Sequence, residues 1–162
     1  MKKSSLIASF ALAALITACG GNNDKETSKS TSAEQPQSMV ADPPSYDPNR
    51  GEGKFNEENI NITENLNAEW AAAGERNAQV KCFSCHKTTT EKLVGPGWSG
   101  VTKRRSPAWI MNFITNPDPM IDKDPEAQAM LELCLVRMPN QNLSDAEARN
   151  ILEFMRKNDG VK

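Results

Sequence analysis

The run Cys82-Phe83-Ser84-Cys85-His86 constrains this chain more than any other stretch of it. Two thiols separated by two residues, followed at once by an imidazole, put three reactive groups on one turn of backbone. Three chemistries use such a turn: a redox dithiol, half of a zinc site, and covalent attachment of haem. A thioredoxin-like dithiol follows a strand and opens a βαβ unit, but no segment here alternates with period two. A structural zinc site needs four protein ligands. His86 is the only histidine, and the spare thiol Cys134 falls on an expected apolar helix face, so that set does not fill. Haem is left: Cys82 and Cys85 add to its two vinyl groups, and His86 falls under the iron. A single histidine also excludes a second imidazole ligand, so the sixth position goes to methionine, another weak donor, water or nothing.

The rest of the sequence says where such a site resides. Lys2 and Lys3 precede an apolar run from Leu6 to Ala18 that is too short to span a bilayer. It ends in Thr17-Ala18-Cys19, which resembles a lipoprotein signal whose cysteine is diacylated and becomes the new N-terminus. Residues 20 to about 55 are rich in Ser, Thr, Asn, Gly, Pro and charge, without apolar periodicity. They read as a flexible linker. The expected organisation is a signal peptide over residues 1–18, a lipidated linker over 19–55, and a folded domain over 56–162. A formal charge of −2 gives no reason to expect nucleic acid binding. Aromatic residues make up only 6% of the 162 residues, so a bound apolar cofactor would help by supplying core volume that the side chains do not.

Within the domain only helical patterns appear, which predicts an all-α fold. Asn67 to Val80 is alanine-rich helix material interrupted by Gly74. Ser106-Pro107 opens a helix carrying Trp109, Ile110, Phe113 and Ile114, and Asn116-Pro117 stops it. Asp124-Pro125 repeats the start signal, and Ala127, Met130, Leu131 and Cys134 then form one apolar face. Ser144 with Glu147 is a capping box for a last helix with Ala148, Ile151, Leu152 and Met155 on one stripe.

On these residues the domain resembles class I cytochromes c over roughly residues 66 to 160. The resemblance implies that Gly74 and Phe154 mark the crossing of the first and last helices. It also implies that the Pro96 carbonyl of Gly95-Pro96 accepts the Nδ1 proton of His86, and that Met138, followed by Pro139, is the distal ligand. Two departures stand out: Ala78 replaces the aromatic usual four residues before the first haem cysteine, and a Pro-rich loop, Asn116 to Met120, is inserted before Met138. Met120 is therefore a rival ligand, whereas Met111, Met130 and Met155 fall at core spacing. Trp98 and Trp109 are candidates for lining the haem, Trp109 also for a propionate bond through its indole N–H. Arg104 and Arg105 are candidate propionate partners or a docking patch for an acidic partner. Cys134 reads as an apolar core residue.

The expected function is electron transfer, with no enzymatic activity: a monomeric, lipid-anchored carrier on the periplasmic side of a bacterial membrane, passing single electrons between a donor and an acceptor protein. By general resemblance to small lipoprotein cytochromes of anaerobic respiration, nitrous oxide reductase is a candidate acceptor. A haem enzyme or gas sensor with an open distal site is the competing class.

Overall fold

Side chains that accept free N–H groups mark most helix starts in this chain. The computed structural model describes residues 46–162. The expected signal peptide, Cys19 and the linker up to residue 45 lie outside the described residues. Seven helices follow in order: α1 (Glu57–Ile60), α2 (Ala68–Lys81), α3 (Val101–Arg104), α4 (Pro107–Thr115), α5 (Pro117–Lys123), α6 (Pro125–Cys134) and α7 (Asp145–Asn158). Among the described residues there is no strand, as the sequence predicts. Asn67, Ser106, Asp124 and Ser144 cap α2, α4, α6 and α7, and Ser144 with Glu147 forms the expected reciprocal box. The Pro-rich insertion is not a loop but the short helix α5. Pro117 ends α4 because it has no N–H to give, and for the same reason it is well placed at the first position of the next helix.

The first and last long helices, α2 and α7, form the main pairing. They cross at Gly74, where a Cβ would press on the Asn150 carbonyl and lie 2.9 Å from the Ile151 backbone nitrogen. Only a hydrogen fits there. Ala78 is also fully buried, and the aromatic contact to Phe154 comes instead from Phe83, ring centroids 6.0 Å apart. One end of the pair is organised by Glu153, fully buried on α7. Its carboxylate accepts from the Asn67 N–H at 2.7 Å, from Arg149 at 2.6 Å and from Arg156 at 2.9 Å. Arg149 and Arg156 in turn donate to the carbonyls of Ile60 and Glu64, both at 3.2 Å. This network ties the approach to α2 down onto α7. Burial alone would raise the Glu153 pKa, but the donors of Arg149, Asn67 and Arg156 outweigh it and hold the carboxyl below its ordinary value.

The folded unit begins earlier than the expected residue 56. Residues 46–55 run as a strap across α4 and α5. Asn112 of α4 is 1% exposed. It accepts from the Phe55 N–H at 2.9 Å and donates to the Arg50 and Phe55 carbonyls, both at 3.0 Å. Phe55 is buried, and Tyr46 donates its hydroxyl to Asp124. The strap has no periodic apolar residues because most of its bonds are made by its backbone. That is why composition places it with the linker.

Candidate haem-binding site

The Cys-x-x-Cys-His run continues directly from the end of α2. The Cys82 N–H bonds the Ala78 carbonyl at 2.8 Å, and the N–H groups of Cys85 and His86 fold back on the Cys82 carbonyl at 3.0 and 2.9 Å. Both sulfurs and the imidazole are thereby fixed on one turn. The segment after it zips onto that turn: Gly95 N–H bonds the Cys85 carbonyl and Trp98 N–H the Lys87 carbonyl, both at 2.9 Å. This brings the Pro96 carbonyl to 2.8 Å from His86 Nδ1. A carbonyl only accepts, so Nδ1 carries the proton and Nε2 keeps its lone pair. Gly95 lets the ring lie there, since a Cβ would stand 2.8 Å from Nδ1 and 2.9 Å from Nε2. Burial lowers the His86 pKa, against the pull of the Pro96 bond, and so favours the neutral imidazole that a metal needs. Burial likewise pushes the Cys82 thiol up to about 11.

A cavity of about 450 Å³ opens beside this turn. Cys82, Cys85 and His86 line it, as do Trp98, Ile110, Phe113, Met130, Met138 and Leu143. A smaller cavity of about 90 Å³ shares Cys85, His86 and Met138 with it. The volume lies in the range of cofactor pockets. Its donor set suits a porphyrin: two thiols for the vinyl groups, one oriented imidazole and one thioether, in an otherwise largely apolar wall. On these observations the residues fit covalent haem.

The structure separates the two candidate distal methionines. Met138 is half-buried and lines the cavity. Met120 is fully buried beneath the strap, and its sulfur accepts the Glu52 N–H at 2.9 Å. Its place is packing. Trp109 lines the cavity too, but its indole N–H is given to Asp124 at 2.8 Å. Of the candidate roles of Trp109, the indole bond to a propionate is disfavoured, because the donor is already used by a buried carboxylate. Asp124 also accepts from the N–H groups of Glu126 at 2.9 Å and Ala127 at 2.8 Å. Burial works to raise its pKa, but the bonds from Trp109, Tyr46 and Ala127, with the Arg105 charge, hold it below the usual value. Arg104 and Arg105 both stand at the cavity wall. Arg104 donates to the Ser99 carbonyl at 2.8 Å; Arg105 pairs with Glu126 and lies 4.3 Å over the Trp109 ring. Cys134 is half-buried rather than enclosed and edges the smaller cavity. The sequence reading missed Phe83, inside the attachment run. It stacks edge-on with Trp98 at 5.8 Å, and Trp98 lies 5.6 Å from the His86 ring. Asp124 was also missed as the buried acceptor that holds Trp109 against the cavity, because it reads in sequence only as a helix cap.

Comparisons with known proteins agree with this geometry. A family model described as cytochrome c matches residues 71–159. The structure of cytochrome c from Rhodothermus marinus is similar to this chain at 32% identity and a TM-score of 0.61, over 65% of this chain and 90% of that one. An engineered form of that protein, bound to a carbene intermediate, is similar at 32% identity and a TM-score of 0.58 over the same shares. No curated protein sequence matches.

Proposed function

This chain belongs to the cytochrome c family, and from that premise we propose that it is a lipid-tethered, monohaem, class I carrier that shuttles single electrons between respiratory partners on the periplasmic side of a bacterial membrane. When bound, haem c supplies an iron that accepts and releases one electron. Cys82 and Cys85 hold the ring through thioether bonds, so the carrier does not lose it between encounters. His86, neutral and oriented by the Pro96 carbonyl, would hold the iron through Nε2, and Met138 would hold it through its thioether. A thioether favours the reduced metal and raises the potential relative to a second imidazole. The apolar wall of Ile110, Phe113, Met130 and Leu143 excludes water. Arg104 and Arg105, both at the cavity wall, would be the cationic partners of a propionate. Cys19 is the lipid attachment point in this reading, which concentrates a monomeric carrier near membrane-bound donors and acceptors. Nitrous oxide reductase is the acceptor to try first.

The observation that carries this reading is that His86 and Met138 line the same cavity as the two thiols, while the sulfur of Met120 is held elsewhere. Met138→Ala tests it. The variant should keep its covalent haem, lose the red-end absorption band of thioether-ligated ferric haem, fall in reduction potential, and bind carbon monoxide rapidly when reduced. A wild-type spectrum and potential in Met138→Ala refutes the assignment. Rapid carbon monoxide binding by the wild type would favour an open-site enzyme or sensor instead.

A further inference from the structure

Met138 sits in the segment between α6 and α7, which is bounded by left-handed residues at Leu135 (φ 58°) and Asn142 (φ 50°). Residues 136–143 form no helix, and their own short bonds, such as Asn142 N–H to Asn140 Oδ1, do not anchor them to the domain. Arg137, the residue before Met138, does. Its Nε donates to Asp118 Oδ1 at 2.7 Å. Its Nη2 donates to Asp122 Oδ1 at 2.6 Å and to the Asp118 carbonyl at 3.2 Å. Both carboxylates are on α5, one turn apart. On the other side, Lys81 donates to the Gln141 carbonyl at 3.2 Å.

We propose that Arg137 is a positioning residue, a latch that holds the Met138 segment closed over the cavity by clamping it to α5. The inference rests on Met138 being the axial ligand. Arg137 and its partners are substantially exposed, with 42% and 64% of their side chains in solvent. Isolated exposed pairs contribute little, but a forked guanidinium across two carboxylates is the geometry in which they count. The effect is read at the next residue, where a small change in the closed fraction changes how often the sulfur leaves the iron. The insertion that forms α5 thus gains a purpose: it supplies the anchor.

The test uses the full-length haem-loaded protein and imidazole as the probe. Imidazole binds ferric haem only when the methionine is away. Arg137→Gln should raise the rate and affinity of imidazole binding about fivefold, the factor an exposed pair is worth at its upper end. Asp118→Asn with Asp122→Asn should do the same, and the three changes together should add nothing further. Arg137→Lys, which keeps the charge without the fork, should recover part of the effect. Salt should speed imidazole binding in the wild type and not in Arg137→Gln. Hydrogen exchange of residues 136–143 should quicken in Arg137→Gln while α2 and α7 keep their protection. Wild-type imidazole binding in Arg137→Gln, when Met138→Ala binds imidazole freely, overturns the latch alone. Wild-type binding in both variants overturns the latch and the ligand assignment together.

Discussion

Replacing Asn112 by Leu separates the strap from the domain without altering the bulk of the site. Asn112 makes three bonds to the strap, one to each of the Phe55 N–H, the Phe55 carbonyl and the Arg50 carbonyl. Leucine keeps the volume and removes all three. The Phe55 carbonyl retains a bond from Arg50 Nε at 3.1 Å, but the Phe55 N–H and the Arg50 carbonyl lose the Asn112 amide as partner. The Phe55 N–H is buried, and stranding such a group costs roughly 1–3 kcal/mol, about 2 kcal/mol here; the carbonyl of Arg50, an exposed residue, turns to water instead. The cost has a ceiling: once it exceeds the free energy that docks residues 46–55, the strap detaches and the rest of the domain stays folded. For a unit of this size, about 2 kcal/mol lowers the thermal midpoint by roughly 8 °C. Thermal unfolding of the haem-loaded protein reads the magnitude, and limited proteolysis with hydrogen exchange shows whether residues 46–55 have come free. The optical spectrum should not change, because Asn112 does not line the cavity. An unchanged midpoint with unchanged protection of the strap refutes the reasoning and returns residues 46–55 to the linker.

Three further outcomes are expected. Met120→Ala should cost about 2–5 kcal/mol in thermal unfolding through cavity formation, with the haem spectrum intact. Gly74→Ala should destabilise by about 1–3 kcal/mol, because the clash is with backbone that no rotamer change relieves; a neutral result in denaturant unfolding would mean that the helices separate freely. Glu153 has a lowered pKa in the fold, so its contribution is fully present above the ordinary glutamate range and is lost as pH falls through the folded value. Glu153→Gln should therefore lower stability by about 3 kcal/mol near neutrality and leave a shallower decline on the acid side of a midpoint-versus-pH profile.

The attachment turn was legible because its chemistry is local: three groups on one turn need adjacent letters. The helix starts at Ser106, Asp124 and Ser144 were legible for the same reason, since a cap and the N–H it accepts lie within three residues. Contacts that depend on distant backbone were not. Asn112 looks like a misplaced polar residue on the apolar helix α4 until the strap arrives to use it. Trp109 has an indole N–H that any acceptor could take, and nothing in its neighbourhood says that Asp124 is the one. α5 was hidden by its two prolines, which read as loop unless they fall in the first turn of a helix. Arg137 is an ordinary surface cation in sequence, and only the spacing of Asp118 and Asp122 on a helix no pattern announced makes it a clamp.

The Gly74 crossing also bears on the order in which the molecule is assembled. Its two helices stand at opposite ends of the family-like region, so no early fragment can make the contact that defines the fold. Local helices form in microseconds, whereas closing a contact across nearly the whole domain is a late and entropically costly step. The attachment cysteines follow α2 directly and are available long before α7. The chain is thus able to present Cys82, Cys85 and His86 to incoming haem while still open, with the last helix shutting behind it.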